Sequence, residues 1–327
     1  MDGWRRAATA KTAETHLAML EEELRTEEAG TDRRLELLFV CAHPAIDLSI
    51  HAPLMLQTVL GARAEEIAPL WLSSPPAMAQ RLVRAKRKIA EARIAFEIPE
   101  GVERSERLGP VLDAIYAALT LEGEARGLAA EAEYLAALVT KAFPEEPEAA
   151  GLFALCLYAQ ATAAVESEAF VPLSERDVAS WDRERILRAE ELLRRAAARR
   201  QPGRFQLEAA IRSAHVIGRL EQRDTGEVVV QLYRRLLQLA PSIGARCGLV
   251  AALLEAGNHD EAERELAAIA PQGDSYQPFW VVQAQLAVAR GDAEAAENAY
   301  DKAVALTPDE PLRAFLLKQK DRCRRSD

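Results

Sequence analysis

Six cations crowd into the fourteen residues from Gln80 to Arg93: Arg81, Arg84, Lys86, Arg87, Lys88 and Arg93, against one acid, Glu91. Guanidinium and ammonium groups at that density do one kind of chemistry, which is to neutralise a polyanion such as a nucleic-acid backbone. The run carries a net charge of +5 inside a chain whose total is −10. On a helix, Met78, Leu82, Ala85 and Ile89 fall on one narrow apolar stripe. Gln80, Arg81, Arg84, Arg87 and Lys88 spread over the opposite arc, with Lys86 beside the stripe. A solvated helix face has the same pattern, so charge alone leaves both readings open.

No other reactive side chains gather in the sequence. Cys41, Cys156, Cys247 and Cys323 are scattered, with no Cys-x-x-Cys pair, and His16, His43, His51, His215 and His259 show no metal-ligand interval with them. They read as ordinary buried or surface groups. His43 and His51 flank the loop AHPAIDLSIHAP, but no carboxylate or cysteine stands at a supporting interval. Capping or core roles suit them better than ligation. There is no glycine-rich phosphate loop and no G-x-S-x-G elbow. The chain therefore offers no catalytic residue, no metal ligand set and no cofactor motif, and reads as a non-enzyme.

The elements that must position the basic run are helices. At 327 residues the chain can hold two or three domains, and 49% hydrophobic with 28% charged residues is a globular balance. Abundant alanine, 6% aromatic content and scarce β-branched alternation predict an all-α fold packed through small residues. No apolar run approaches a membrane span, and MDGWRRAATAKTAETH lacks the apolar core of a secretory signal. A cytoplasmic protein with no membrane partner is expected.

In chain order, helices are predicted over 4–28, from Arg33 to Pro44, from Asp47 or Ser49 to Gly61, over Arg63–Leu72 and over Ala77–Glu91. Ser73-Ser74-Pro75-Pro76 forms a tight turn before the last. Helix, short turn, basic helix is the helix-turn-helix pattern, whose second helix enters the major groove by its N-terminal residues. On that reading Ser73, Ser74, Ala77, Gln80, Arg81 and Arg84 meet base edges, while Lys86, Arg87 and Lys88 anchor to phosphates. The serine hydroxyls and free N–H groups at the helix start would suit phosphate or base acceptors.

LFVCAHPAI at 38–46, then TVLGARAEEIAPLWLSSPPAMAQRLVRAKRKI, resembles the extracytoplasmic-function RNA polymerase sigma factors that carry a long C-terminal helical extension. In that family this portion is region four, which reads the promoter's upstream element and touches the polymerase β flap. The resemblance continues through IYAALTLEG at 115–123, PEEPEAAGLFAL at 144–155, Trp181-Asp182 and PGRFQLEAAIRSAH at 202–215. It implies two partners, promoter DNA and the RNA polymerase core. The departures are equally specific. On the resemblance, region two, which melts the promoter, is expected to be almost wholly missing from this sequence, with a possible remnant at Trp4, Ala8 and Ala13. The polar DNA-contacting residues expected around Ala10, Lys11, Thr12 and Thr15 are not retained. Around Thr120–Glu124 only Glu122-Gly123 keeps the family's pattern, and Pro75-Pro76 is unusual at the reading end.

Beyond Phe96, EIPEGVERSERLG reads as a linker, followed by helices through 107–165 and a loop, SEAFVPLSERDVASWD. The helix at 183–200 interleaves arginines with glutamates and reads as a salt-bridged, solvated face. Trp280, Ala284, Gly291, Ala296, Tyr300, Ala303 and Pro308 keep the intervals of a tetratricopeptide repeat. Gly257, Ala262, Leu266 and Ile269 lie one 34-residue period earlier. A weaker unit ends with Val229, Tyr233, Leu236 and Pro241. Four segments follow: an N-terminal helix at 1–30, a region-four-like helix-turn-helix domain at 31–97, a helical extension at 98–204 and tetratricopeptide-like repeats at 205–327. Two functions remain open. One is a sigma-factor-like transcription regulator controlled by its extension. The other is an adaptor that holds a protein partner on the repeats, with DNA binding lost.

Overall fold

The computed structural model describes residues 33–71, 73–92, 94–120, 128–163 and 169–324. Among them every regular element is a helix, so the fold is all-α. The expected helix at 4–28, with its possible region-two remnant, and Leu121–Glu124 lie outside the described residues. The chain divides into two compact units, 1–143 and 144–327.

In the first unit, α1 (Arg34–Cys41) is apolar nearly all round, burying Leu35, Leu37, Leu38, Phe39, Val40 and Cys41. A helix with no polar face must be enclosed by others. It packs against α2 (Leu48–Thr58), α5 (Gly101–Thr120) and α6 (Leu128–Ala142). Asp47 caps α2, its carboxylate accepting from the Ser49 N–H at 2.9 Å. The short α3 (Ala64–Ile67) runs on as a 3-10 turn through Trp71, and α4 (Pro75–Ala92) packs on both α2 and α3. Phe39 meets Phe143 edge-on, with ring centroids 5.6 Å apart.

The expected linker at EIPEGVERSERLG is corrected by the structure, since α5 already begins at Gly101. Gly101 adopts a left-handed φ of +59° where the chain turns into the helix. The first core residue of α5 is an arginine. Arg107 is buried, bonded to Glu103 one turn back and to the Phe39 carbonyl at 3.4 Å, in the last turn of α1. A cation there satisfies an orphan carbonyl and opposes the negative end of the α1 dipole.

In the second unit, α7 (Pro147–Ala161) is the buried centre, with α8 (Arg183–Ala198) and α9 (Arg204–Glu221) packed on it. Glu148 of α7 plugs the start of α9, accepting from the N–H groups of Phe205 (2.9 Å) and Gln206 (3.1 Å). A carboxylate at that position meets orphan donors and the positive end of the dipole. Gly151 lets the helices close: a Cβ there would lie 2.6 Å from the Gln206 backbone nitrogen. Tyr158 and Ser213 both donate to one oxygen of Glu190, at 2.5 Å each, tying α7, α8 and α9 together.

The rest is a series of antiparallel neighbours: α10 (Gly226–Leu239), α11 (Ile243–Glu255), α12 (His259–Gly273), α13 (Gln277–Arg290), α14 (Ala293–Ala305) and α15 (Glu310–Arg324). The starts of α11 and α13 are 34 residues apart, as are those of α12 and α14. The turns repeat too. Gly257 and Gly291 both have φ +74°, and the next residue's N–H returns to the carbonyl five back, Asn258 to Leu253 and Asp292 to Ala287. Left-handed glycine with that bond is a Schellman stop, which only a residue without Cβ adopts freely.

Candidate nucleic-acid interface

The basic run is held by its apolar stripe. Met78, Leu82, Ala85 and Ile89 are the buried residues of α4, the same four that the helical period selects. Locking that stripe against α2 and α3 turns the opposite arc to solvent. Gln80, Arg84, Arg87 and Lys88 are exposed, while Arg81 and Lys86 are half-buried. Among the described residues no ion pair involves Arg84 or Lys88; Arg87 lies 3.5 Å from Glu91, an exposed pair of little energetic weight.

Arg81 is engaged within the fold. Its guanidinium donates to the Ser49 hydroxyl at 2.8 Å and to the Ser49 carbonyl at 3.2 Å. The Ser49 hydroxyl in turn donates to Asp47, whose carboxyl is held below its ordinary range by the Ser49 hydrogen bonds and the nearby Arg81 charge. Of the sequence-predicted base readers, Arg81 thus positions α4 against the start of α2.

The start of α4 differs from the expectation of free donors. Pro75 and Pro76 have no N–H. The N–H of Ala77 points to the Ser74 hydroxyl at 3.4 Å, and that of Met78 to the Ser74 carbonyl at 2.9 Å. The Ser73 hydroxyl turns to the Ser74 carbonyl at 3.4 Å. Ser73, Ser74 and Ala77 therefore build a capped turn in which the N–H groups of Ala77 and Met78 are taken. The helix start offers fewer backbone donors than expected, because the two prolines have none and Ser74 takes those of Ala77 and Met78.

One residue on this face escaped the sequence reading. Val83 is 61% exposed, directly among the cations. Its signal was present in the helical period, which puts it off the apolar stripe, but a valine carries no charge to draw attention.

His43 and His51 have structural partners. His43 accepts the Ala45 N–H on Nδ1 at 3.0 Å, and the buried His51 bonds the Ile46 carbonyl through Nε2. Burial lowers the pKa of both. These are the capping and core roles that spacing favoured. Among the described residues no group of His, Cys, Asp and Glu has the arrangement of a metal site. No helix there is long and apolar enough to cross a membrane.

Residues 107–197 match a family described as a family of unknown function (DUF6596). The chain is 32% identical over 304 residues to a Rhizobium meliloti (strain 1021) protein described as uncharacterized protein R00370, a match covering 89% of this chain and 71% of that one. The chain belongs to the family of that protein. No solved structure matches. The family segment at 107–197 contains the buried Arg107, the centre formed by α7 and the charged helix α8. The basic face of α4 lies before it.

Proposed function

We propose that this family member is a sigma-factor-like transcription regulator that binds DNA through α3 and α4, used as a helix-turn-helix. One observation carries the reading: Arg84, Arg87 and Lys88 stand exposed on a helix whose apolar stripe is locked, in a chain that is otherwise acidic. Charges kept exposed and weakly paired in an anionic protein suit a polyanion that brings its own counter-charge. Promoter DNA and the RNA polymerase core are the proposed partners, in a cytoplasmic setting, and the role needs no catalysis. The helical extension, ending in tetratricopeptide-like pairs, would regulate this engagement.

The test is fluorescence anisotropy with 20-base-pair duplexes and, separately, capture of core polymerase. Binding to duplex should weaken steeply with salt, because releasing condensed counterions gains less free energy as the bulk salt rises. A chain that binds neither duplex nor polymerase would sink the proposal. The 34-residue recurrence of helices and turns favours a second reading, an adaptor whose repeats hold a protein partner. Only the first reading requires Arg84, Arg87 and Lys88.

A further inference from the structure

The assignment of roles along α4 changes once its start is seen to be closed. We infer that base reading on this helix is shifted one turn towards its C-terminus, so that Gln80, Val83, Arg84 and Arg87 face the groove floor while Lys86 and Lys88 grip the two phosphate walls. This rests on the DNA-binding reading and names how that same face would select its target.

Three observations support the shift. First, the opening turn is poor in donors: Pro75 and Pro76 lack N–H groups, and Ser74 takes those of Ala77 and Met78. Ala77 itself carries no polar side chain. An end of that kind can touch DNA but has little with which to tell one base pair from another.

Second, the direction of each side chain follows from the locked stripe. Counting about 100° per residue from Met78, Val83, Arg87, Gln80 and Arg84 fall at about 140°, 180°, 200° and 240°, centred on the outward direction. Lys86, at about 80°, lies on one flank, and Lys88 and Arg81, at about 280° and 300°, lie on the other. A helix lying along a major groove has bases beneath it and a phosphate strand on each side. Cations on both flanks match the two strands. Arg81 is committed to Ser49, which leaves Lys88 as the exposed cation of its flank.

Third, the floor group has the right chemistry. Gln80 suits adenine N6 and N7, and Arg84 and Arg87 suit guanine O6 and N7. Val83, 61% exposed in the middle of them, suits a thymine methyl. Arg87 thereby passes from phosphate anchor to base reader. Val83 joins the readers as a residue that charge counting passes over.

The experiment is selection from a random-sequence 20-base-pair duplex pool with the full chain, followed by affinities of variants for the selected duplex and for the unselected pool. Arg87→Ala and Arg84→Ala should each lose about 5- to 150-fold on the selected duplex and erase one guanine preference, with a smaller loss on the pool. Val83→Ala should lower affinity for the thymine duplex but not for its uracil counterpart, which lacks the methyl. Lys88→Ala should weaken both pools alike and reduce the salt slope by about 0.9. Ser74→Ala should leave base preference unchanged. Thermal melting of each variant confirms that the fold persists, since all five side chains lie off the buried stripe.

Uniform weakening by Arg87→Ala, or a changed base preference from Ser74→Ala, would overturn the shifted register. Duplex binding with no sequence enriched would overturn it too, while the DNA-binding reading stands. Failure to bind any duplex would remove both.

Discussion

Each compact unit contains an arginine-rich helix, α4 in one and α8 in the other, and their architecture is alike. Each is fastened by four buried residues, Met78, Leu82, Ala85 and Ile89 on α4 and Ile186, Ala189, Leu192 and Ala196 on α8. The difference is in what the cations do. On α8, Arg185 pairs with the cap Asp182 at 2.7 Å and Arg194 with Glu191 at 2.6 Å. Arg188 lies over the Phe153 ring, 4.8 Å from its centroid, and Arg199, just past the helix, pairs with Glu145. On α4 Arg87 lies 3.5 Å from Glu91, and among the described residues no ion pair involves Arg84 or Lys88. Charge density therefore does not tell whether a cation is paired within the fold. The presence or absence of acids one turn away is the better guide to that.

The sharpest way to break this comparison is to neutralise both faces. On the proposed reading, replacing Arg84, Arg87 and Lys88 together by alanine should abolish measurable duplex binding at moderate salt, a loss of at least about 100-fold, because three proposed phosphate or base contacts go at once. Arg194→Ala with Arg195→Ala on α8 should change duplex binding by less than about 2-fold, as those charges belong to a salt-bridged surface. Equal losses from the two sets would mean that the chain binds DNA by diffuse charge.

The stripes offer a control for folding. Leu82→Ala and Leu192→Ala should each cost about 2–5 kcal/mol in denaturant unfolding, with Leu82, 1% exposed, towards the upper end and Leu192, 8% exposed, towards the lower. If the proposed DNA-binding face depends on the lock beneath it, Leu82→Ala should also weaken duplex binding, and Leu192→Ala should not.

How far these features could be read beforehand depended on which force set them. The α4 stripe and the solvated character of α8 follow from helical period, because burying an apolar row is the dominant local constraint. The recurring turns at Gly257 and Gly291 were legible for the same reason, glycine being the residue that tolerates the stop. The start of α5 was not, since its core begins with Arg107, a residue whose burial depends on the Phe39 carbonyl far away in sequence. Nor was the closed start of α4. Pro75-Pro76 reads in the sequence as part of the turn, whereas the helix begins at Pro75, and the Ser74 bonds that take the Ala77 and Met78 N–H groups are a matter of geometry. Glu148 and Gly151 likewise stood in a recognisable motif while their task, seating the start of α9, appears only when α7 and α9 are brought together.

Arg81 and Arg194 sharpen the comparison at lower energy. Arg81→Ala removes two hydrogen bonds from a cation to Ser49 and should cost about 1 kcal/mol, measured by chemical denaturation. Arg194→Ala removes an exposed pair within one turn of α8 and should stay within about 0.5 kcal/mol. A neutral Arg81→Ala would mean that Ser49 does not hold it, returning that guanidinium to the set proposed to face DNA.

The smallest effect separates the two helices by their caps. Asp182 caps α8, accepting from the Arg185 N–H at 3.0 Å. That bond, with the Arg185 side chain, holds its carboxyl below the ordinary 3.8. A carboxylate whose folded pKa is depressed stabilises the fold above its unfolded pKa, and that contribution is lost as pH falls through the folded value. Amide exchange at Arg185 should therefore lose protection below about pH 3.8, beyond the intrinsic pH dependence of exchange. The cap of α4 is the Ser74 hydroxyl, which does not titrate in this range, so Ala77 and Met78 should keep their relative protection through the same acid titration. Parallel loss at both helix starts would show that acid acts on the fold as a whole and not on the Asp182 cap.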